Sequence, residues 1–346
     1  MDGVDAILTD ITDTCIAPIA AVSIPYPAEL LEKLHQLCTV NPNEINHLGQ
    51  ADRAVGLVFA EAVNKLLAQQ HLSPADIRAI GSHGQTVRHY PDGPPGHQDD
   101  NGFTLQIGDP NTIATLTGID VVADFRRKDI AYGGQGAPLV PAFHAARFAE
   151  AGEYRAIVNI GGFANITVLE GVNAESIRGF DTGPGNTLMD AWCLQHLNQP
   201  FDRDGNWAAS GTVNQPLLNS LLADPYFSDT GPKSTGREYF NLAWLRHHLH
   251  SLDTSIPAED VQATLLALTA TTIANAIRAL EQVQQCYVCG GGAFNGQLMA
   301  QLGQLLPNCA VKATDSLALH PQWVEGVAFA WLAWAYLHRV PGNVPN

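Results

Sequence analysis

Residues 155–169 read RAIVNIGGFANITVL, in which two apolar runs rich in β-branched side chains flank a pair of glycines. Runs of this kind predict two adjacent strands, 155–160 and 164–169, joined by a tight turn. A third predicted strand, 177–180, leads through the sequence GFDTGPGN into a predicted helix, 187–197. This alternation of strands and helices predicts an α/β protein with mixed sheets.

The same alternation continues along the rest of the chain. Further strands are predicted at 4–11, 77–82, 120–123 and 286–289. Helical periodicity is clearest over 258–281, and other helices are predicted at 51–70, 138–150, 241–251, 294–306 and 324–337. The Pro/Gly-rich loop 90–101 interrupts a β pattern, so we expect it to join two strands of one sheet.

Length, charge and cysteine content limit the class of protein. A chain of 346 residues favours two domains, and acidic residues outnumber basic ones 34 to 18. The net charge of −16 makes a nucleic-acid or anionic-membrane partner unfavourable. No run is long and apolar enough for a membrane span, and six scattered cysteines do not form a disulfide framework. We therefore expect a soluble cytoplasmic protein.

Two glycine-rich turns could bind phosphate groups through their backbone N–H groups. One joins the strands 155–160 and 164–169, and the other follows the strand 286–289 and leads into the next helix. An ordinary tight hairpin is the alternative for the first turn. The candidate residues are Asn159, Gly161, Gly162, Gly290, Gly291, Gly292 and Asn295. Cys286 and Cys289 form a C-x-x-C within a strand, where residues three apart face opposite sides, so we interpret them as structural.

Several polar side chains are placed where they could act on a ligand. Asp181 ends a predicted strand beside a glycine turn, a position suited to a general base, although it could equally satisfy turn amides. His83 and Gln85 follow the strand 77–82 and could bind a polar ligand. Glu325 begins the last predicted helix, where the helix dipole alone would stabilise it.

Arginine is scarce in this acidic chain, yet two arginines are adjacent in VVADFRRKDIA. Arg126 and Arg127 lie between Asp124 and Asp129, after the predicted strand 120–123. A guanidinium at this position could bind a carboxylate. An ion-pair cluster at the rim of the sheet is the alternative.

The motifs, in their order along nearly the whole chain, resemble those of the anhydro-N-acetylmuramic acid kinases. The segments that carry the resemblance are MDGVDAILTD, GSHGQTVRH, QIGDP, TGIDVVADFRRKDIAYGGQGAPLVPAFH, VNIGGFANIT, GFDTGPGNTLMDAW, FDRDGNWAASG, GPKSTGREYFN, CGGGAFN and WVEGVAFAWLA. The resemblance implies a two-domain actin-like ATPase (sugar kinase) fold with mixed sheets flanked by helices and ATP in an interdomain cleft. It also implies domains of 1–137 plus 323–346 and of 138–322, and a homodimer.

The activity implied by the resemblance is opening of the 1,6-anhydro ring of anhydro-N-acetylmuramic acid by water, with phosphorylation of the freed 6-oxygen by ATP and Mg²⁺. This reaction belongs to peptidoglycan recycling and amino-sugar metabolism. The resemblance makes Asp181 the base that activates the water, and Arg127 and Glu325 sugar-binding residues with His83 and Gln85 beside them. It places ATP at both glycine turns and at Asp2, Gly3 and Asp5.

In the family motif G-T-S-x-D-G-x-D, Met1 of this chain takes the first x position. The sequences of the family also continue beyond the position of Asn346. We expect the 346-residue form to be less stable and a slower kinase than a form extended upstream through G-T-S. Two other functions remain open at this point: an impaired sugar- or nucleotide-binding protein, and a glycoside hydrolase that uses Asp181 and Glu325. ATP consumption that depends on the anhydro sugar distinguishes the kinase from both.

Overall fold

The computed structural model describes residues 3–39, 42–94, 101–172, 177–229, 235–236, 239–252, 255–280 and 282–344. The chain forms two compact units, residues 1–143 with 325–346, and residues 144–324. These units are close to the predicted domains but do not have the same bounds, and the domain assignment stays a prediction. No helix in the described part of the chain is long and apolar enough to cross a membrane.

Strands and helices alternate along both units. The strands are β1 (Gly3–Ile11), β2 (Ile16–Pro25), β3 (Ile80–Gly81), β4 (Gln85–Tyr90), β5 (Phe103–Ile107), β6 (Val121–Val122), β7 (Tyr154–Ile160), β8 (Phe163–Glu170), β9 (Arg178–Pro184), β10 (Gln285–Cys289) and β11 (Ala310–Ala313). The helices are α1 (Ala28–Leu37), α2 (Glu44–Gln70), α3 (Pro110–Thr117), α4 (Phe125–Ala131), α5 (Pro141–Phe148), α6 (Thr187–Leu197), α7 (Asn206–Ser210), α8 (Gln215–Leu222), α9 (Pro225–Ser228), α10 (Leu242–His250), α11 (Ala258–Arg278), α12 (Gly296–Leu305) and α13 (Val324–His338).

The second unit is built on a five-stranded mixed sheet in the order β11-β10-β7-β8-β9. Strands β11, β10 and β7 are parallel, whereas β8 is antiparallel to both of its neighbours, β7 and β9. The central strands are buried on both faces, which explains their nearly continuous apolar sequence. The predicted α/β class with mixed sheets and flanking helices is therefore confirmed.

Helix α11 supplies much of the core of this unit. It is buried at almost every position from Val261 to Ala274, so its sequence is apolar around most of its circumference. It packs with the strands and with α6, α7, α8 and α12 around a core that includes Ile166, Leu217, Leu268 and Val288. This packing fixes β9 and α6, which carry the predicted base and the turn after it.

The first unit contains three two-stranded sheets. Strands β1 and β2 pair antiparallel, β4 and β5 pair antiparallel, and β3 pairs parallel with β6. The β4–β5 pair confirms that the loop 90–101 joins two strands of one sheet. The long helix α2 packs on β1 and β2 and shares their apolar core with α1.

Some predicted elements differ from the observed ones. The predicted strand 177–180 is longer, because β9 continues pairing with β8 past a bulge as far as Pro184, so Asp181 lies within a strand and not at its end. The strands predicted at 77–82 and 120–123 are shorter in the structure, where β3 and β6 have two residues each. Strand β2, helix α1 and helix α4 were not predicted; α4 places Arg126 and Arg127 on a helix.

Candidate functional site

The turn between β7 and β8 is tied to the turn between β9 and α6. The carbonyl of Gly161 accepts a hydrogen bond from the N–H of Asn186 at 2.8 Å, and the carbonyl of Gly162 accepts from the N–H groups of Gly185 and Thr187 at 2.9 and 3.0 Å. Backbone groups at the start of α6 are thereby satisfied by the Gly-Gly turn. The two turns therefore form one rigid unit at the end of the sheet.

At three of the candidate glycines an added Cβ would make only ordinary van der Waals contacts. The nearest atom to an added Cβ is 3.7 Å away at Gly161, 3.9 Å at Gly162 and 3.5 Å at Gly291, and none of the three has a positive φ. Nothing in the described protein therefore requires glycine at these positions. Bare backbone of this kind lets a ligand approach closely.

The other two candidate glycines are required by the fold. Gly290 has a φ of +77°, and an added Cβ would lie 2.5 Å from Asn159 Oδ1. At Gly292 an added Cβ would overlap the side chain of Ile160. The second turn also differs from its prediction, because Gly291 and Gly292 belong to a short 3₁₀ turn, Gly291–Phe294, that precedes α12. Asn295 instead caps α12, with its Oδ1 accepting from the N–H of Leu298 at 3.0 Å.

Polar residues form a row across the sheet between the second glycine turn and the predicted base. Cys289 on β10 is paired with Asn159 on β7, Asn159 with Asn165 on β8, and Asn165 with Asp181 on β9. Residues paired in register project from the same face of a sheet. The row therefore brings Asn159 and Asp181, predicted for different roles, to one face. Asn165 Oδ1 is buried without a hydrogen-bond partner among the described residues.

Asp181 is held in a half-buried position. Its Oδ2 accepts a hydrogen bond from the N–H of Thr235 at 3.0 Å, and its backbone carbonyl accepts from the hydroxyl of Tyr226 at 3.2 Å. Burial raises the pKa of Asp181 to about 6, with the Thr235 hydrogen bond opposing the shift. A carboxylate with such a pKa is ionised at neutral pH but is a better proton acceptor than an ordinary aspartate.

In the first unit, His83 and Arg126 are in direct contact. Arg126 Nε donates to His83 Nε2 at 2.9 Å, and Arg126 also donates to the carbonyl of Gly136 at 2.9 Å. The ring of His83 stacks on Phe329 with centroids 4.5 Å apart. Burial, assisted by the charge of Arg126, lowers the pKa of His83 to about 3, so the imidazole is neutral.

Arg127, the arginine that the family resemblance assigns to the sugar, is on the exposed side of α4. Its Nε lies 3.3 Å from Asp124 Oδ1, and both side chains are about half exposed, 51% and 52%. This is the ion pair that the sequence left open as the alternative. Arg126, which was not included among the predicted site residues, is the one placed against His83; the adjacent identical side chains gave no signal that could separate them.

The remaining predicted residues of the first unit are spread over several elements. Glu325 is exposed in the first turn of α13, and its charge acts on Arg126. Gln85 begins β4 and donates to the carbonyl of Thr86 at 3.2 Å. Asp5 on β1 accepts a hydrogen bond from the hydroxyl of Ser23, and Gly3 begins the same strand. Asp2 lies outside the described residues.

ATP needs backbone N–H donors for its phosphates, and Mg²⁺ needs oxygen ligands. Phosphate groups commonly bind to backbone N–H groups that no side chain covers, and Gly162 and Gly291 have such backbone. The N–H of the neighbouring Gly161 donates to the carbonyl of Phe163 at 3.1 Å. Within the described ranges, no three acidic, histidine or cysteine side chains form a metal cluster. Mg²⁺ commonly binds through substrate phosphates, waters and one or two carboxylates, so the residues present are compatible with an ion that arrives with ATP.

The whole chain, residues 1–346, matches the family model described as anhydro-N-acetylmuramic acid kinase. The chain belongs to the anhydro-N-acetylmuramic acid kinase family. Relatives of that name in Shewanella sp. (strain ANA-3) and Shewanella denitrificans are each 56% identical over 345 residues, which cover 100% of this chain and 91% of the relative. A relative of the same name in Shewanella oneidensis is 54% identical with the same coverage.

Similarity to solved structures is much weaker. Component A of the (R)-2-hydroxyglutaryl-CoA dehydratase of Acidaminococcus fermentans is 10% identical, with a TM-score of 0.45 over 94% of this chain and 95% of that chain. Xylulose kinase from Rhodospirillum rubrum is 14% identical, with a TM-score of 0.37 over 65% of this chain and 47% of that chain. The α/β class with mixed sheets follows from the strands and helices of this chain itself.

The different environments of the two adjacent arginines predict different effects on stability. Arg126→Ala should lower the free energy of unfolding by about 1–3 kcal/mol, because it leaves His83 Nε2 and the carbonyl of Gly136 without their donor. Arg127→Ala should lower it by no more than about 1 kcal/mol, since an exposed ion pair contributes little. Urea unfolding of both variants measures the difference, and equal effects would contradict these assignments.

Proposed function

We propose that this protein is a kinase that uses water and ATP to convert anhydro-N-acetylmuramic acid into N-acetylmuramic acid 6-phosphate and ADP in peptidoglycan recycling. Membership of the family supports the substrate and the reaction. The observation that carries the mechanism is the position of Asp181, a half-buried carboxylate with a raised pKa in the same polar row as Asn159, next to the glycine turns.

Asp181 is the general base of the proposed reaction. Its carboxylate takes a proton from water as the water oxygen bonds to C1 of the sugar. The bond between C1 and the bridging 6-oxygen breaks, and the electron pair stays on that oxygen. The 6-oxygen then bonds to the γ-phosphorus of ATP, and ADP leaves. Ring opening thus creates the nucleophile that phosphoryl transfer consumes.

The glycine turns of the second unit are the proposed phosphate site. In a chain with a net charge of −16, a polyphosphate needs local N–H donors to overcome the overall field. The backbone at Gly162 and Gly291 can supply such donors without a side chain in the way, and Gly161, whose N–H donates to the carbonyl of Phe163 at 3.1 Å, leaves room beside them. We assign Asn159, Gly290 and Gly292 to the support of this site. As the family resemblance implies, we also assign Asp2, Gly3, Asp5 and Asn295 to ATP binding. Mg²⁺, when bound with ATP, neutralises phosphate charge.

The polar groups of the first unit are the proposed sugar site. Arg127 is exposed and paired only loosely with Asp124, so its guanidinium can exchange that partner for the lactyl carboxylate of the substrate. Glu325 is likewise exposed, so its carboxylate is accessible to a ligand. We place His83 and Gln85 beside Arg127 and Glu325 in the sugar site. His83 contributes through its hydrogen bond from Arg126. We further propose a cytoplasmic homodimer, as the family resemblance implies.

The test of the function is ADP formation measured with and without anhydro-N-acetylmuramic acid. We expect ADP formation only with the sugar, in equal amount to N-acetylmuramic acid 6-phosphate. In H₂¹⁸O, a short reaction should place the label on the C1 hydroxyl and none in the phosphate. Ring opening without ATP would identify a hydrolase, and binding of both ligands without turnover would identify an impaired binding protein.

Asp181→Asn should retain the fold and ATP affinity but reduce kcat by about 10²–10⁴-fold, because an amide cannot accept the proton of the attacking water. In the unsubstituted protein, kcat/KM should fall as the pH drops below about 6, where Asp181 becomes protonated. The exposed Asp315→Asn is the matched control and should match the unsubstituted protein. Normal turnover by Asp181→Asn would exclude Asp181 as the base.

Gly291→Ala should raise the KM for ATP at least about tenfold while leaving the unfolding midpoint unchanged, because the methyl fits the protein but fills the space proposed for phosphate. Gly292→Ala should lower the unfolding midpoint instead, since its methyl overlaps Ile160. Steady-state kinetics and thermal unfolding of both variants provide the comparison. An unchanged KM for ATP in Gly291→Ala would place the phosphates elsewhere.

Arg127→Ala should weaken sugar binding by about 1.5–3 kcal/mol, the usual effect of losing a hydrogen bond to a charged group, with no change in the KM for ATP. Arg178→Ala is the matched control, because Arg178 is another exposed arginine paired with a carboxylate, Glu170. Measurement of KM for both substrates separates the two sites. An unchanged KM for the sugar would leave Arg127 only its ion pair with Asp124.

A further inference from the structure

Asp224, which lies outside the predicted site, accepts three hydrogen bonds in the second unit. It precedes α9, and its Oδ1 accepts from the N–H of Tyr226 at 2.9 Å and from the hydroxyl of Tyr239 at 2.7 Å. Its Oδ2 accepts from the indole N–H of Trp244 on α10 at 2.9 Å. One carboxylate therefore ties together the start of α9, the segment around Tyr239 and the first turns of α10.

The residues tied by Asp224 belong to a group of packed aromatic rings. Tyr226 packs edge-on against Phe240 with centroids 5.2 Å apart, and Phe240 contacts Trp244 at 4.9 Å. Such pairs are favourable beyond the area they bury. We call this group the aromatic wall, and its members are Tyr226, Phe227, Tyr239, Phe240 and Trp244.

The aromatic wall contacts the strand that carries the proposed base. The hydroxyl of Tyr226 donates to the backbone carbonyl of Asp181 at 3.2 Å. Phe227 lies so close to Gly183 that an added Cβ there would be 2.8 Å from the ring, and Gly183 itself has a φ of +135°. The sequence of β9 is thus adapted to let the rings approach within two residues of Asp181.

We propose that Asp224 is a positioning residue for Asp181: by tying Tyr226, Tyr239 and Trp244 it holds the aromatic wall against β9 and limits the access of water to the catalytic carboxylate. The proposal rests on the proposed function only in taking Asp181 as the base. It assigns Asp224 a part in catalysis that acts through other residues.

The charge state of Asp224 suits this position. Burial alone would raise the pKa of Asp224, but the hydrogen bonds from Trp244, Tyr239 and Tyr226 outweigh burial and lower it below the ordinary value. Asp224 therefore stays ionised across the working pH range as a strong acceptor. The described titratable groups around Asp181 are Tyr226 in contact with its backbone, and Asp224, Asp229, Tyr239 and His248 beyond that ring.

Loss of the wall should change how Asp181 titrates. Burial is the main cause of the raised pKa of Asp181, so renewed access of water should lower that pKa towards 3.8. The acid limb of the kcat/KM profile should then move to lower pH. The maximum rate should fall at the same time, because the carboxylate becomes a weaker and less oriented base. A purely structural role for Asp224 would reduce the active fraction equally at every pH.

The experiment compares Asp224→Ala, which removes all three hydrogen bonds, with Asp224→Asn, which keeps one acceptor oxygen. We expect the acid limb to move down by about one pH unit or more in Asp224→Ala and by less in Asp224→Asn, with kcat reduced about 10- to 100-fold in the former. Asn214→Ala is the control, because Asn214 caps α8 in the same unit without contacting the wall. It should leave the acid limb unmoved.

Carboxyl ¹³C NMR of the full chain, with the Asp181 signal assigned from Asp181→Asn, gives the same pKa without relying on activity. A downward shift of the Asp181 pKa in the Asp224 variants supports the proposal even if no kinase activity is found. The result of this test therefore does not depend on the proposed function. An acid limb and an Asp181 pKa within about 0.3 unit of the unsubstituted protein, or shifted upward, would overturn it. If Asp224→Ala does not fold, Asp224→Asn decides by the same measurement.

Discussion

The hydrogen bonds between the Gly161-Gly162 turn and the start of α6 fix the end of the second unit's sheet where the candidate site lies. Two carbonyls of a strand-to-strand turn accept from three consecutive N–H groups at 185–187, so the ends of β7, β8 and β9 meet at one place. Because β9 is fixed at this end and by the bulged pairing with β8, Asp181 is held within the ladder. A base on a rigid strand is positioned more accurately than one on a loop.

The parts of the fold that sequence could predict are those with a strong local pattern. Helix α6 has its predicted bounds because Gly and Pro residues lie on both sides of it, and α11 has its predicted first residue because Pro257 precedes it. Helix α4 has only seven residues and starts after Asp124 in a left-handed conformation, which no pattern reveals. The full length of β9 depends on its partner β8, and pairing between strands is not encoded within one segment.

The residues of the candidate site likewise include some that the sequence marks and some that it does not. The glycines mark both turns in the sequence, whereas Asp181, expected at the end of a strand, lies within β9. The choice between Arg126 and Arg127 could not be made, because one helical step decides which guanidinium contacts His83 and which stays in solvent. Likewise, five candidate glycines look alike in sequence, but sterics separate Gly290 and Gly292, which the fold requires, from three that leave free space.

A buried base has a cost that its surroundings must offset. The pKa of Asp181 is raised in the folded protein, so the ionised form is destabilised relative to the unfolded chain, and this loss of stability grows as the pH rises from about 4 to about 6. We propose that the aromatic wall limits the access of water to Asp181, and the wall is held by contacts between its rings and by the hydrogen bonds to Asp224. Asp224 can hold this surface in place because its ionised carboxylate accepts three hydrogen bonds, which offset its own burial.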